Sequence, residues 1–187
     1  SYPLDEPVLR FYDWLGAAIT YGYFISPLEW LKKLPDNAAR RPTGGGLIFH
    51  EHDFSFTLAL PLSHPLTQKP VLERYQLINN QVLAAIQQVV PECDLSLQLL
   101  QPKETIDELC MANPTVYDLL LAGKKVGGSA QRKNKYAFIH QCSLFLATPD
   151  WDRIAQELVD PARILPKLKA FTGSVFTNQK NIPAYFR

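Results

Sequence analysis

The chain reads Arg40-Arg41-Pro42-Thr43-Gly44-Gly45-Gly46-Leu47-Ile48-Phe49-His50, which places two arginines, three consecutive glycines and a histidine within eleven residues. Glycines lack Cβ atoms where backbone must approach another group closely, and they tolerate positive φ angles. Successive N–H groups in such a turn can face a carbonyl or anionic oxygen, and arginines offer forked donors for phosphate or carboxylate. The segment therefore predicts a tight turn that either joins two strands or lines a binding site.

The segments around this turn predict an α+β domain. Asp53–Leu60 alternates apolar and polar residues, as a half-buried strand does, and Pro70–Val90 carries an amphipathic helical stripe. Further strands are predicted at Val8–Tyr12, Ala18–Phe24, Gly46–His50, Leu95–Gln101, Val116–Leu121, Lys125–Arg132 and Tyr136–Ala147, and further helices at Ser26–Leu34, Trp151–Val159 and Pro161–Phe171. Because neighbouring strands pair, we expect residues 1–187 to form a single domain with a mixed, largely antiparallel sheet flanked by helices.

Two capping signals and one hairpin turn support these bounds. Ser26, Pro27 and Glu29 have the spacing of a capped helix start with a capping box. Ala122-Gly123-Lys124 predicts the turn of a hairpin between the strands on either side. The helical stripe consists of Val71, Tyr75, Ile78, Val82, Ile86 and Val89, and we expect it to face the core.

Composition excludes several classes of protein. Apolar residues make 47% of the 187-residue chain and charged residues 20%, which is typical of a globular domain rather than a disordered one. A net charge of +1 argues against binding to nucleic acid. No apolar run approaches the ~18 residues that a membrane helix needs. Three cysteines without close pairing argue against a disulfide framework and favour a reducing, cytoplasmic location.

A second glycine stretch follows a lysine: Lys125-Val126-Gly127-Gly128-Ser129-Ala130. Glycine weakens a strand interior and often marks a close approach of backbone to another group. A lysine at the start of such a strand can aim its ammonium at the group for which the glycines make room. The alternative is an exposed hairpin lysine beside a bulge, where substitution changes stability by only about half a kcal/mol.

Cysteines and histidines supply the remaining candidates. Cys110 lies in a predicted loop, where a nearby lysine can lower the pKa of a thiol and make it a nucleophile; an inert buried cysteine is the alternative. Cys142 is expected in the core, and Cys93 has no chemical context. His50 and His52 would share one face of a strand, which is the start of a metal site, but no third ligand follows from the spacing and we predict no metal. His140 is expected to be a buried or supporting histidine.

Three motifs together resemble one family. They are Arg40–Gly46 followed by His50, Lys125–Ala130, and His140-Gln141-Cys142-Ser143-Leu144, and Leu9–Trp14 is similar to the family's early strand. The chain is thereby identified as a member of the lipoate–protein ligase and octanoyltransferase family, whose catalytic fold is shared with biotin–protein ligases. The resemblance covers about Pro7 to Leu146. The family's opening strand and helix would precede Arg10, so they are expected to be missing before Ser1.

The resemblance implies an enzyme that moves an octanoyl or lipoyl group onto a lysine of a lipoyl-domain protein. The acceptor would be a glycine-cleavage H protein or the E2 component of a 2-oxoacid dehydrogenase, and an acyl carrier protein is the implied donor. No cofactor is expected to be bound permanently. By the same resemblance, Lys125 contacts the reacting acyl carbonyl or the phosphate, and the substrate is bound by Arg40, Arg41, Thr43, Gly44, Gly45, Gly46, His50, Gly127, Gly128, Ser129, Ala130 and His140.

Two subclasses of the family remain open. Cys110–Asp118 resembles the nucleophile segment of octanoyltransferases, which pass the acyl group through a cysteine thioester, and we favour this mechanism with Cys110 as nucleophile. A complete Gly-Gly-Gly ending at Gly46 is instead typical of ligases, which would use ATP and Mg²⁺ to form an acyl-adenylate. Departures from the family pattern at Ile25 and Cys142 leave a third alternative, a relative that binds acyl groups or a partner without turnover.

Overall fold

The computed structural model describes residues 4–100, 111–112, 114–177 and 179–184. In chain order the strands are β1 (Val8–Tyr12), β2 (Ala18–Tyr21), β3 (Ala38–Arg40), β4 (Leu47–His50), β5 (Asp53–Leu60), β6 (Leu95–Leu97), β7 (Leu119–Leu121), β8 (Lys124–Lys133) and β9 (Phe138–Phe145). The α-helices are α1 (Val71–Val89), α2 (Trp151–Glu157) and α3 (Pro161–Phe171), and short 3₁₀ turns occupy Pro27–Glu29, Pro65–Gln68 and Gln179–Asn181. No helix in these ranges is both long and apolar enough to cross a bilayer.

The strands form two sheets. The larger has six strands in the order β1-β5-β9-β8-β7-β6, and every neighbouring pair is antiparallel. The smaller has the order β3-β2-β4, in which β2 runs parallel to β3 and antiparallel to β4. The predicted α+β class with a mixed, largely antiparallel sheet is therefore confirmed, and the parallel component lies in the small sheet alone.

The β7–β8 hairpin confirms the predicted turn and carries the second glycine stretch into the large sheet. Ala122 and Gly123 have positive φ angles of 49° and 76°, as the two central residues of a type I′ turn must have. β8 then runs for ten residues against β9, with Gly128 opposite Ser143 and Ser129 opposite Cys142. The hairpin therefore places Lys125 and both glycines at the centre of the larger sheet.

Helix α1 confirms the predicted long helix, but only part of its stripe is buried. Ile78 and Ile86 belong to the core, whereas Val71 and Val89 at the two ends are exposed. Ile78 lies in one buried cluster with Leu60 of β5 and Phe138 of β9. Between α1 and β1 lies an open apolar cleft of about 420 Å³, to which Leu9, Phe11 and Phe56 contribute.

The predicted helix from Ser26 to Leu34 is wrong. Only Pro27–Glu29 forms a 3₁₀ turn, and the Ser26 side chain makes no capping hydrogen bond. The backbone beyond it pairs with the segment after α2 instead: the Lys32 N–H donates to the Glu157 carbonyl at 2.9 Å, and the Trp30 carbonyl accepts from the Val159 N–H at 3.0 Å. These long-range bonds replace the local ones that a helix would need.

The sequence reading also missed or misplaced several strands. β3 was not predicted, because three residues are too few to show an alternating pattern. β6 and β7 are shorter than the predicted Leu95–Gln101 and Val116–Leu121, and the β7–β8 pairing is interrupted by a register shift between Leu119 and Leu120. β2 ends at Tyr21, directly before Gly22.

The segment after α3 closes the molecule against the large sheet. Thr172 forms a bridge to Lys125, and the Gly173 N–H donates to the Lys125 carbonyl at 2.8 Å. Further along, the Val175 N–H donates to the Phe145 carbonyl, and the Phe176 N–H to the Leu146 carbonyl, both at 2.9 Å. The backbone of Lys125 is thus held on both sides, by β7 and by this segment.

Candidate active site

A cavity of about 400 Å³ opens between the two sheets. Its wall includes eight of the predicted site residues, namely Arg40, Arg41, Gly45, His50, Lys125, Gly128, Ser129 and Ala130. A second cavity of about 410 Å³ shares Gly45, Lys125, Ser129 and Ala130 with the first and adds Gly44 and Gly46. The two glycine stretches, far apart in sequence, therefore face each other across one site with Lys125 between them.

Lys125 is buried and paired, so the alternative of an exposed hairpin lysine is wrong. Its side chain is 6% exposed, and its Nζ lies 2.7 Å from Oδ2 of Asp118. The same carboxylate oxygen accepts hydrogen bonds from the N–H of Thr115 at 2.8 Å and from its hydroxyl at 2.9 Å. The ammonium is therefore fixed in direction as well as in place.

Gly128 provides the room that Lys125 occupies. A Cβ at position 128 would lie 2.7 Å from Cε and 2.9 Å from Nζ of Lys125. From the sequence, the glycines were expected to make room for a group that the lysine contacts. In the structure, the space beside Gly128 is filled by the Lys125 side chain itself. Gly127 has a packing role instead, since a Cβ there would meet the Leu119 and Leu144 side chains.

Arg41 shapes the loop of the first glycine stretch. The guanidinium is buried and donates to the carbonyl of Gly46 at 2.7 Å and to that of Gly44 at 3.3 Å. Gly45 has a φ of 88°, a left-handed conformation that glycine adopts without cost. A Cβ on Gly22 would lie 1.8 Å from the Gly45 carbonyl oxygen, so the residue that follows β2 must be a glycine for the loop to lie where it does.

His50 is the centre of a buried hydrogen-bond network. Its Nδ1 lies 2.7 Å from Oδ2 of Asp53, and its Nε2 lies 2.7 Å from the Thr20 hydroxyl. The Thr20 hydroxyl in turn accepts from Nη1 of Arg41 at 2.6 Å. The indole ring of Trp14 stacks on the imidazole with a centroid distance of 3.9 Å. Each of these residues except Asp53 lines the first cavity.

The paired-histidine idea does not match the geometry. β4 ends at His50, so His52 lies outside the strand, and Glu51 between them pairs with Arg153. Within the described ranges, no group of three or more histidine, cysteine or acidic residues is arranged to hold a metal ion.

Thr43 and His140 line neither cavity. The Thr43 hydroxyl donates to Oε1 of Gln141 at 2.8 Å and is fully buried. His140 is buried beside Phe56 and Tyr75, and its Nδ1 lies 3.0 Å from Nε2 of Gln131. Burial lowers the pKa of His140 to about 3, so the ring is neutral at physiological pH. Both residues support the cavity wall from behind.

Of the three cysteines, the structure describes Cys93 and Cys142. Cys110 lies outside the described residues, but its neighbour Met111 is buried, and the Phe49 N–H of β4 donates to the Met111 sulfur at 3.3 Å. Cys142 lies in the core, as expected, and burial raises the pKa of its thiol to about 12. Burial also raises the pKa of Cys93. Neither of these two thiols is therefore a thiolate at neutral pH.

Sequence reasoning missed the partners that orient the site. Thr20 is an ordinary residue in a short strand, and nothing in the local pattern marks it. Asp53 follows His50 at a spacing of three, which is a recognisable signal for a histidine–carboxylate pair. Asp118 is the last residue of the segment that begins at Cys110. Its pairing with Lys125 could be predicted only from the register of the β7–β8 hairpin.

Comparison with known proteins places these features in a family. The lipoyl protein ligase A/B catalytic domain matches residues 2–169. An octanoyltransferase LipM of Carboxydothermus hydrogenoformans is 33% identical over 142 residues, covering 72% of this chain and 51% of the relative. LipM of Lysinibacillus sphaericus is 28% identical over 159 residues, covering 78% and 56%. The chain spans about half the length of the curated relatives it matches.

Solved structures agree on the fold. A lipoate-protein ligase A bound with ATP superposes with a TM-score of 0.69 at 19% identity, covering 97% of this chain and 68% of the ligase. A putative lipoate protein ligase from T. acidophilum with bound lipoic acid gives a TM-score of 0.67 at 19% identity, covering 100% and 69%. With the family match over most of its length and the two glycine stretches assembled around a buried lysine, the chain belongs to the lipoyl protein ligase A/B catalytic domain family.

Proposed function

We propose that this domain moves an octanoyl or lipoyl group onto a lysine of a lipoyl-domain protein through a thioester on Cys110. The observation that carries the proposal is the Lys125 ammonium, buried in the cavity wall between the two glycine stretches and fixed by Asp118. The relatives named octanoyltransferase support the reaction class. Lys125 is the group that binds the acyl carbonyl.

The chemistry of acyl transfer explains why a fixed ammonium is useful there. Attack on a thioester turns the carbonyl oxygen into an oxyanion, and a donor that is already oriented stabilises this transition state more than the ground state. Asp118, which accepts two hydrogen bonds from Thr115, holds Lys125 in one orientation, so little reorganisation is needed during the reaction. An acyl-enzyme thioester also lies close in free energy to a thioester donor, and no ATP is consumed.

The position of Met111 supports Cys110 as the nucleophile. Met111 contacts the backbone of β4 one residue before His50, and its carbonyl accepts from the Thr172 hydroxyl at 3.1 Å. Thr172 is also bridged to Lys125. The residue that follows the cysteine is thereby tied both to the strand of His50 and to that of Lys125, on the borders of the cavity.

The partners follow from the reaction. The acceptor is a lipoyl-domain protein, of the glycine-cleavage H type or the dehydrogenase E2 type, and the donor is an octanoyl-loaded acyl carrier protein, which meet the enzyme in the cytoplasm. One solved ligase of the same fold was studied together with its E2 lipoyl domain.

Intact mass spectrometry tests the thioester. Incubation with octanoyl-loaded carrier protein should add one octanoyl group to the wild-type protein, and the adduct should be released by hydroxylamine. Cys110→Ser should abolish this labile adduct, while Cys93→Ser should keep it. A protein that transfers octanoyl groups with Cys110→Ser as fast as the wild type would contradict the thioester route.

A second candidate function is an ATP-dependent lipoate–protein ligase. Arg10 and Arg40 line the first cavity and make no ion pair with a described residue, so this side of the cavity offers positive charge to a phosphate. This alternative predicts lipoate-dependent exchange of pyrophosphate into ATP in the presence of Mg²⁺, unchanged by Cys110→Ala. Absence of exchange in a protein that still forms the octanoyl thioester would reject it. A non-catalytic relative would show neither activity and would fail to complement a lipoate auxotroph.

A further inference from the structure

Two arginines at the mouth of the first cavity share one aromatic ring. The guanidinium carbon of Arg132 lies 4.3 Å from the centroid of the Tyr23 ring, and that of Arg40 lies 5.4 Å from the same centroid. Both distances are within the range of a cation–π contact. Nη1 of Arg132 also donates to the Pro42 carbonyl at 2.7 Å, and both Pro42 and Arg40 line the cavity. We call Arg40, Tyr23 and Arg132 the arginine lip.

The positive charge of the arginine lip has no carboxylate partner in the part of the chain that the structure describes. Neither Arg40 nor Arg132 forms an ion pair with a described residue. Among the described residues that line the two cavities, Asp13 is the one acidic residue, and it directly follows β1, three strands away from β8 in the large sheet. Two like charges on one ring repel each other, and an anion bound between them offsets this repulsion. The lip is therefore suited to an anionic group.

Strand β8 connects the arginine lip to Lys125. The Lys125 ammonium lies beside Gly128, since a Cβ there would be 2.9 Å from Nζ. Gly128, Ala130 and Arg132 alternate along β8 in regular register with β9, so they point to the same face of the sheet. From Gly128 to Arg132 the strand rises about 13 Å, at ~3.3 Å per residue. Gly128 and Ala130 both line the cavity, and because they are the two smallest residue types, they leave room for a ligand along the strand.

This spacing matches the arm that carries an acyl thioester on a carrier protein. The arm is 4′-phosphopantetheine, which has the thioester sulfur at one end and a phosphate at the other. Between sulfur and phosphorus it is about as long as four extended residues, or ~14 Å. A thioester whose carbonyl is bound by Lys125 therefore places its phosphate at the arginine lip.

We propose that the arginine lip binds the phosphate of a phosphopantetheine arm and thereby selects the acyl donor. This inference rests on the proposed acyl transfer. Guanidinium groups form charge-assisted, forked hydrogen bonds with phosphate. The acceptor is a lysine side chain, which has no phosphate, so the lip acts when the enzyme is loaded and not when the acyl group leaves. The same arm occurs on carrier proteins and in coenzyme A.

Two small donors isolate the contribution of the phosphate. Octanoyl-pantetheine and octanoyl-4′-phosphopantetheine differ only by that group, and formation of the octanoyl-enzyme is followed by intact mass. Because a hydrogen bond to a charged group contributes about a factor of ten or more, the second-order rate constant of loading should be at least about 10-fold higher with the phosphorylated donor. In Arg132→Gln the ratio of the two rate constants should fall to within about a factor of two of unity.

Two further variants keep the test decisive. Arg40→Gln changes the exposed member of the lip; it should lower the ratio in the same way, and it serves if Arg132→Gln does not fold. Lys133→Gln is the matched control. Lys133 is the next residue of β8 and points to the other face of the sheet, where its Nζ donates to the Thr67 carbonyl at 2.9 Å. The substitution removes the same unit of charge, but the ratio should keep its wild-type value.

Two larger donors distinguish the sources of the arm. They are octanoyl-loaded acyl carrier protein and octanoyl-CoA. Arg132→Gln should slow loading from the faster of these donors by at least about 10-fold. Transfer from the isolated octanoyl-enzyme to an E2 lipoyl domain should remain within a factor of about three.

Three outcomes overturn the inference. Equal loading of the wild-type protein from the two small donors would mean that the phosphate is not bound. A wild-type ratio in both Arg132→Gln and Arg40→Gln would mean that the phosphate is bound elsewhere, and a lowered ratio in Lys133→Gln would mean that only overall charge matters. The proposed function fails separately, if none of these donors forms an octanoyl-enzyme with the wild-type protein.

Discussion

At the scale of single residues, the Lys125–Asp118 pair links stability to function. Removing one member of a buried ion pair leaves a bare charge and costs about 3–5 kcal/mol. We therefore expect Lys125→Ala to lower the free energy of unfolding by this amount, measured by urea denaturation, and to abolish octanoyl transfer. The exposed neighbour is the control: Lys124→Ala should change neither quantity appreciably.

A double variant separates the two effects. Lys125→Met with Asp118→Asn removes both charges and keeps the volume, so stability should recover by several kcal/mol, whereas transfer should stay lost. Recovery of transfer in the double variant would show that the ammonium has no part in the reaction.

A second residue-scale prediction concerns two glycines. A Cβ on Gly22 would collide with the backbone of Gly44 and Gly45, at 1.8 Å from the Gly45 oxygen, whereas a Cβ on Gly44 would meet nothing within 4 Å. Gly22→Ala must displace the loop that faces Lys125 across the cavity, and a displacement of about 1 Å at a reacting group can cost 100-fold in rate. Single-turnover transfer should therefore fall about 100-fold in Gly22→Ala and stay near wild type in Gly44→Ala. The reverse order would refute the contact.

At the scale of elements, a buried amide is among the contacts that connect α1 to the site. Asn79 is 1% exposed, and its Nδ2 donates to the Tyr117 carbonyl at 2.8 Å and to the Ser129 hydroxyl at 2.9 Å. Tyr117 has a positive φ of 70°, an uncommon conformation that this bond helps to hold.

Alanine substitution at this position should therefore destabilise the protein. Asn79→Ala leaves buried polar groups without partners, which costs about 1–3 kcal/mol. The exposed Asn80 on the same helix is the matched control, because Asn80→Ala should be neutral or slightly stabilising by helix propensity. Equal midpoints for both variants in urea denaturation would contradict the role of Asn79.

Strands, helices and turns could be predicted where the residues of the element itself determine its conformation. The alternation in β5, the helical period of α1 and the turn at Ala122 and Gly123 are local signals, and the structure has a strand, a helix and a hairpin turn at these positions. The segment after Ser26 has an equally good local signal for a helix, but hydrogen bonds to residues more than a hundred positions away determine its structure. Such competition between local and distant partners cannot be read from a window of sequence.

The same contrast between local sequence signals and distant partners applies to the candidate active site. Lys125 and the glycine stretches were found because glycine and lysine in those patterns are unusual in a strand or turn. Thr20 and Asp118 take their roles from the register of β2 against β4 and of β7 against β8, which sequence patterns alone do not give.

At the scale of the whole molecule, the buried His140 makes folding sensitive to acid. The pKa of His140 is about 3 in the folded protein, against about 6.5 in an unfolded chain. Because the unfolded state binds a proton below pH 6.5 and the folded state does not, this histidine lowers stability as pH falls from about 6.5 toward 3, by about 1.4 kcal/mol per pH unit.

The contribution can be isolated by substitution. Between pH 7 and pH 5 the wild-type protein should lose about 2 kcal/mol more stability than His140→Gln, as measured by urea denaturation at both values. The carboxylates are the same in both proteins, so their contributions cancel in the comparison. Identical losses would mean that His140 becomes protonated without unfolding.

The segment after α3 belongs to the same folded unit as the large sheet. Homology to the family stops at residue 169, but the hydrogen bonds of Gly173, Val175 and Phe176 to the large sheet continue beyond it. A boundary drawn from homology would therefore retain every residue of the cavity wall and still remove the support behind the Lys125 backbone. We therefore expect that a truncated variant must extend at least to Phe176 to keep the backbone hydrogen bonds that support the active site.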